Sequence, residues 1–180
     1  TNPKGLGVNV RDSNSTFNMY GGAIRGNATS YGGGVATFGS TFNMYGGEIS
    51  DNMVSSGGGG VLLSDKIVMN MSGNAQISDN IALAESQASG GGVYIYADYE
   101  GEGNRLIMSD DAKISGNKAA SGGAVYVGKN GQVTMSGNAQ ITNNTATENG
   151  GGVYVEISTF KIAGGSHRVC DNLCQDVQNN

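Results

Sequence analysis

An Ile, two further residues and then an Asn return at nearly constant intervals along this chain, and that return limits its folding more than any other feature. The copies are Ile24/Asn27, Ile49/Asn52, Ile77/Asn80, Ile114/Asn117 and Ile141/Asn144, with Val169/Asn172 keeping the spacing. Successive Asn positions lie 25, 28, 37, 27 and 28 residues apart. A period of this length, with one longer unit, marks a solenoid whose units bury apolar surface only by stacking on one another.

Two further patterns share the period. Gly-rich clusters lead into a Val and an alternating stretch, as in Gly32-Gly33-Gly34-Val35, Gly90-Gly91-Gly92-Val93, Gly122-Gly123-Ala124-Val125 and Gly150-Gly151-Gly152-Val153. Apolar-x-apolar triplets follow at Phe17/Met19, Phe42/Met44, Met69/Met71, Leu106/Met108, Val133/Met135 and Phe160/Ile162. These segments are too short and too often broken by Gly for helices, which need about 10–12 residues at a 3.6-residue period. As strands they are complete only when a like strand lies about 4.8 Å above and below. Inward residues then form columns of like side chains, and the Asn column forms a ladder of side-chain amides.

The expectation is an all-β, right-handed parallel β-helix of about six coils, with three short strands per coil. Left-handed β-helices repeat at about 18 residues per coil, and Ca²⁺-binding nonapeptide rolls need Gly-Gly-x-Gly-x-Asp; neither pattern is present. The coils fall at roughly 5–31, 32–56, 57–89, 90–121, 122–149 and 150–174 of one domain, with a polar tail at 175–180.

Composition narrows the class. The 32 Gly would suit a flexible linker, but the 37% hydrophobic residues recur at fixed places, which disordered chains do not show. Net charge is −5 and no basic stripe exists to displace phosphate counterions, so nucleic acid is excluded as a partner. No run of about 18 apolar residues is present to span a membrane as a helix. The opening Thr1-Asn2-Pro3 falls in mid-pattern and suggests a mature product or a segment of a larger secreted protein.

The clusters Gly21-Gly22-Ala23-Ile24 and Gly122-Gly123-Ala124-Val125 resemble the Gly-Gly-Ala-aliphatic motif of chlamydial polymorphic membrane proteins, and the whole pattern resembles the right-handed β-helix repeats of adhesin-like bacterial surface proteins. That family's second motif, Phe-x-x-Asn, is not kept: Phe17-Asn18-Met19-Tyr20 and Phe42-Asn43-Met44-Tyr45 place Asn directly after Phe. The resemblance implies a cell-surface location and adhesion to a glycan or protein, and it transfers no functional residue. Pectin-cleaving enzymes and phage tailspikes use similar coils, so the fold alone decides nothing about activity.

Several side chains are candidates for chemistry. The outward column Asn9, Ala36, Leu62, Tyr94, Tyr126, Tyr154 ends in three Tyr, an aromatic strip on which a sugar or a partner protein can stack, although Tyr also favours exposed strands for its own sake. The longest coil carries an acidic stretch with Asp98, Glu100 and Glu102, and Asp110 and Asp111 follow. Carboxylates so placed suit Ca²⁺ or paired acid–base cleavage of a polysaccharide, yet the Asp-x-Asp-x-Asp-Gly calcium loop is missing and a charged loop is most often only solvated.

No catalytic constellation stands out. Lys66, Arg105, Lys113 and Lys129 are scattered, and His167 is a lone His near the last coil. The Gly clusters lack the Lys-Ser/Thr of a phosphate loop. Cys170 and Cys174 lack further ligands for zinc and are expected to form a disulfide pinning the last turn if the chain is secreted, with free thiols as the alternative. The expected protein is thus a non-catalytic extracellular scaffold or adhesin segment, without cofactor. Two alternatives stand beside it: a fibre subunit stacking end to end, and a carbohydrate-cleaving enzyme using the acidic loop.

Overall fold

Three- and four-residue strands leave most of their backbone polar groups unpaired within one turn of chain, so the coils must supply one another's hydrogen bonds. The computed structural model describes residues 5–83, 88–96 and 103–174, and it pairs every strand in parallel with its counterparts in adjacent coils. Four six-stranded sheets result.

The first sheet holds β1 (Val8–Arg11), β5 (Val35–Phe38), β9 (Val61–Ser64), β13 (Val93–Ile95), β17 (Val125–Val127) and β21 (Val153–Val155) in that order. The second holds β2 (Thr16–Met19), β6 (Thr41–Met44), β10 (Val68–Met71), β14 (Arg105–Met108), β18 (Gln132–Gly137) and β22 (Thr159–Gly165). The third holds β3 (Ala23–Arg25), β7 (Glu48–Ser50), β11 (Gln76–Ser78), β15 (Lys113–Ser115), β19 (Gln140–Thr142) and β23 (Arg168–Cys170). The fourth holds β4 (Ala28–Tyr31), β8 (Met53–Gly57), β12 (Ile81–Ala82), β16 (Lys118–Ser121), β20 (Thr145–Asn149) and β24 (Leu173–Cys174).

Four strands per coil replace the three expected. Most inward residues of the extra strand are small, and Ala82 and Ala119 form with Val54 and Ala88 a small separate cluster. Small side chains pack there without the large apolar alternation that betrays a strand in sequence.

The columns are in register. Phe17, Phe42, Met69, Leu106, Val133 and Phe160 face one another in turn along the second sheet, as do Ile24, Ile49, Ile77, Ile114, Ile141 and Val169 along the third. With the inward Val and Leu of the first sheet, all of these but Val169, which is 40% exposed in the last coil, build one continuous core. The longest unit keeps both columns: Met69 pairs with Leu106 and Ile77 with Ile114.

The Asn ladder seals the corner between the third and fourth sheets. Each Oδ1 accepts from the backbone N and the Nδ2 of the Asn one coil earlier: Asn117 Oδ1 takes Asn80 N and Nδ2, each at 3.0 Å, and Asn144 Oδ1 takes Asn117 N and Nδ2, each at 3.0 Å. The residue before each ladder Asn turns the chain through the left-handed region, and only Gly, Asp or Asn stands there: Gly26 (φ 70), Asp51 (φ 55), Asp79 (φ 55), Gly116 (φ 71), Asn143 (φ 58) and Asp171 (φ 57). The Gly clusters answer this need and a second one: their first residue is left-handed, as at Gly90 (φ 67) and Gly122 (φ 63), and the next passes close to the neighbouring coil. A Cβ on Gly91 would lie 2.4 Å from the Gly123 carbonyl oxygen and 2.5 Å from that of Lys118, so the coils pass too closely for any side chain.

Candidate functional site

Inward Val residues at the start of each first-sheet strand force the next residue outward, because side chains alternate across a strand. Asn9, Ala36, Leu62, Tyr94, Tyr126 and Tyr154 are therefore register partners in sequence, as the repeat predicts. The ring centroids of Tyr94 and Tyr126 are 5.1 Å apart and those of Tyr126 and Tyr154 are 5.3 Å apart, tilted by 55° and 41°. Tyr96 extends the cluster at 5.9 Å from Tyr94. All three Tyr of the column are half-buried. Tyr94 packs close to the corner, where a Cβ on Gly57 would sit 2.7 Å from its ring.

The Tyr126 hydroxyl donates to the Glu156 carboxylate. Burial, reinforced by that acceptor and its negative charge, pushes the Tyr126 phenol well above the ordinary range of tyrosine. The ring is thereby held neutral and fixed.

A groove opens on the same face toward the first coil, a feature the sequence reading did not anticipate. It has a volume of about 620 Å³, with Tyr31, Phe38, Leu62, Tyr94 and Tyr96 among its walls. Its floor is dry: Ala36 is 2% and Leu62 6% exposed although both point outward. Arg11 and Phe38 are register partners, and the Arg11 guanidinium carbon lies 4.4 Å from the centre of the Phe38 ring. The only signal in sequence is that Arg11 and Phe38 occupy outward positions two residues beyond the Asn9 and Ala36 of the column already named.

The remaining candidates are dispersed. Asp98, Glu100 and Glu102 lie outside the described residues. Asp110 takes a left-handed corner (φ 53) and accepts the Gly73 N–H at 2.9 Å, while Asp111 accepts from Asn138 Nδ2 at 3.0 Å. Both are engaged in coil-to-coil bonds. Among the described residues no three His, Cys, Asp or Glu side chains gather as a metal site would require, and no helix is long and apolar enough to cross a membrane.

The expected bridge between Cys170 and Cys174 is not formed: both are free thiols. Cys170 closes a strand of the third sheet and its Sγ donates to the Asp171 carboxylate at 3.2 Å, whereas Cys174 closes a strand of the fourth and its Sγ donates to the Glu148 carbonyl at 3.1 Å. The corner that carries Asn172 separates them, and each sulfur turns to its own partner. The hydrogen bond to Asp171 raises the Cys170 thiol above its ordinary range.

A second, exposed array lies on the outer face of the second sheet. Asn43 donates to Asn18 at 2.9 Å and Asn70 to Asn43 at 2.8 Å, and the exposed rings of Tyr20 and Tyr45 stack at 5.0 Å. Two rungs of this amide ladder come from the Phe-Asn-Met-Tyr segments at 17–20 and 42–45, and the third from Met69-Asn70-Met71.

The stacked coils, the in-register columns and the aromatic outer face together define a parallel β-solenoid repeat protein. Residues 138–156 match the repeat of the Chlamydia polymorphic membrane protein family, a stretch that holds Ile141, Asn144 and the cluster Gly150-Gly151-Gly152-Val153. None of the curated proteins and none of the solved structures matches the chain. The matched repeat and the solenoid fit a bacterial surface repeat protein similar to the polymorphic membrane proteins.

Proposed function

We propose that this chain is a non-catalytic segment of an extracellular surface protein, a rigid solenoid that presents the outer face of its first sheet to a glycan or a protein at a cell surface. The observation that carries this reading is the column of tilted, contacting rings of Tyr94, Tyr126 and Tyr154, continuous with a groove of about 620 Å³. Rings fixed at one-coil spacing form a preorganised platform, which loses little conformational entropy on binding. The repeat match supports the surface location.

The test replaces Tyr94, Tyr126 and Tyr154 together by Ser and measures binding to a glycan array and to cultured epithelial cells. Loss of binding with an unchanged circular dichroism spectrum is expected. Binding equal to that of the parent overturns the proposal.

A second reading is tip-to-tail association. Among the described residues, strands β21 to β24 each have a neighbour on one side only, and Leu173, Ile162 and Val169 of the last coil are 52%, 47% and 40% exposed. Light scattering over a concentration series tests it, and a strict monomer removes it.

A further inference from the structure

The groove on the first-sheet face has a chemical bias that the Tyr stack lacks. Among the described residues lining it, Arg11 is the one charged side chain and none is a carboxylate, in a chain whose net charge is −5. The guanidinium is laid over the Phe38 ring at 4.4 Å. Stacking occupies the flat face of a guanidinium and leaves its N–H edge free to donate in the plane, the geometry that grips a carboxylate with two parallel bonds. Around it stand the flat rings of Tyr31, Tyr94 and Tyr96. The volume of about 620 Å³ lies within the roughly 300–1,000 Å³ of small-ligand clefts.

We propose that this groove binds an acidic saccharide, its carboxylate paired with Arg11 and its pyranose faces lying on the aromatic rings. The proposal rests on the reading of this face as a binding surface and names the ligand class. Charge complementarity selects an anion, and the rings select a ligand with flat C–H faces. Asn9, Ser56 and Ser64 add small donors and acceptors suited to sugar hydroxyls. Strands β5, β9 and β13 under the groove are paired on both sides, while β1, which carries Asn9 and Arg11, is the edge strand at its end, so an acidic peptide is the competing ligand that the test must tell apart.

Calorimetry on the whole chain tests this with defined probes. Trigalacturonic acid is compared with its methyl ester, and 3′-sialyllactose with lactose, so that a uronic acid is told from a sialic acid. Hexaglutamate serves as the acidic peptide. At least one acidic sugar is expected to bind, with its neutral counterpart at least tenfold weaker. Arg11→Gln, at an exposed strand end, is expected to erase that difference without moving the melting temperature, and Arg11→Lys to restore part of it.

Equal affinity for acid and neutral forms, no binding of either acidic sugar at millimolar concentration, or hexaglutamate binding as tightly as the sugars overturns the assignment. So does a glycan-array signal that is lost in the triple Tyr→Ser variant but unchanged in Arg11→Gln. That last result leaves the binding face standing and removes only the ligand class.

Discussion

Replacing Asn117 by Ala breaks the buried ladder at its middle, and the cost can be worked from the bonds. The Asn117 side chain is fully buried; its Oδ1 accepts from Asn80 N and Nδ2, and its Nδ2 reaches the carbonyls of Ile77 and Ser115 and Asn144 Oδ1. Alanine leaves the Asn80 backbone N–H without an acceptor in a site closed to water, and it strips a donor from the Ile77 carbonyl. Asn80 Nδ2 keeps the Ile49 carbonyl at 2.9 Å, so its loss is partial. At about 1–3 kcal/mol for each buried polar group left unpaired, the substitution costs about 3–4 kcal/mol. For a chain of this size that corresponds to a melting temperature lower by about 10 °C.

Asn43→Ala is the matched control. It removes the centre of the outer amide ladder, where Asn18 is exposed and Asn70 half-buried within reach of water, and should cost about 0.5 kcal/mol. Urea unfolding followed by circular dichroism measures both variants. An Asn117→Ala loss below about 1 kcal/mol, or one no larger than that of Asn43→Ala, would refute the account of the ladder as the seam of the coils.

Other outcomes follow from the same structure. Gly91→Ala should destabilise by about 3 kcal/mol, because its Cβ meets two backbone oxygens, while Gly21→Ala, with open space around it, should be nearly silent in the same assay. Tyr126 keeps its proton in the folded state above the ordinary phenol value, so its contribution to stability is complete below about pH 10 and is lost as pH rises toward its folded value. Melting temperatures between pH 9 and 12 should therefore fall more steeply for the parent than for Tyr126→Phe, and Glu156→Gln should reduce the difference. A free-thiol assay on unreduced protein should find two reactive sulfurs, and Asp171→Asn should speed alkylation of Cys170 by lowering its thiol toward the ordinary range.

What the sequence revealed of this fold tracks the size of the inward side chains. Phe42, Met69 and Leu106, or Ile49, Ile77 and Ile114, are large and fully buried, so their columns are visible as a period. The fourth sheet turns Ala82, Ala119 and Ala146 inward, and Ala recurs too freely in any sequence to mark a strand. The Tyr column was legible for the same reason as the core, since one register fixes both faces of a strand. The groove was not. Its walls come from Arg11 and Phe38 on the first sheet, Tyr31 at the end of the fourth and Tyr96 just past β13, and only the bend between sheets brings them together. The unbridged cysteines are a similar case: a spacing of four residues looks bridgeable until a corner stands between them.

Selective labelling of isoleucine methyl groups, read by NMR through-space cross-peaks, reaches the stacking itself. The register predicts contacts between Ile49 and Ile77, Ile77 and Ile114, and Ile114 and Ile141. Residues two coils apart, such as Ile49 and Ile114, lie about 9–10 Å apart at the spacing of sheet strands and should give no comparable signal. Cross-peaks that skip a coil, or the absence of the neighbouring ones, would contradict the stacked arrangement and every inference drawn from it.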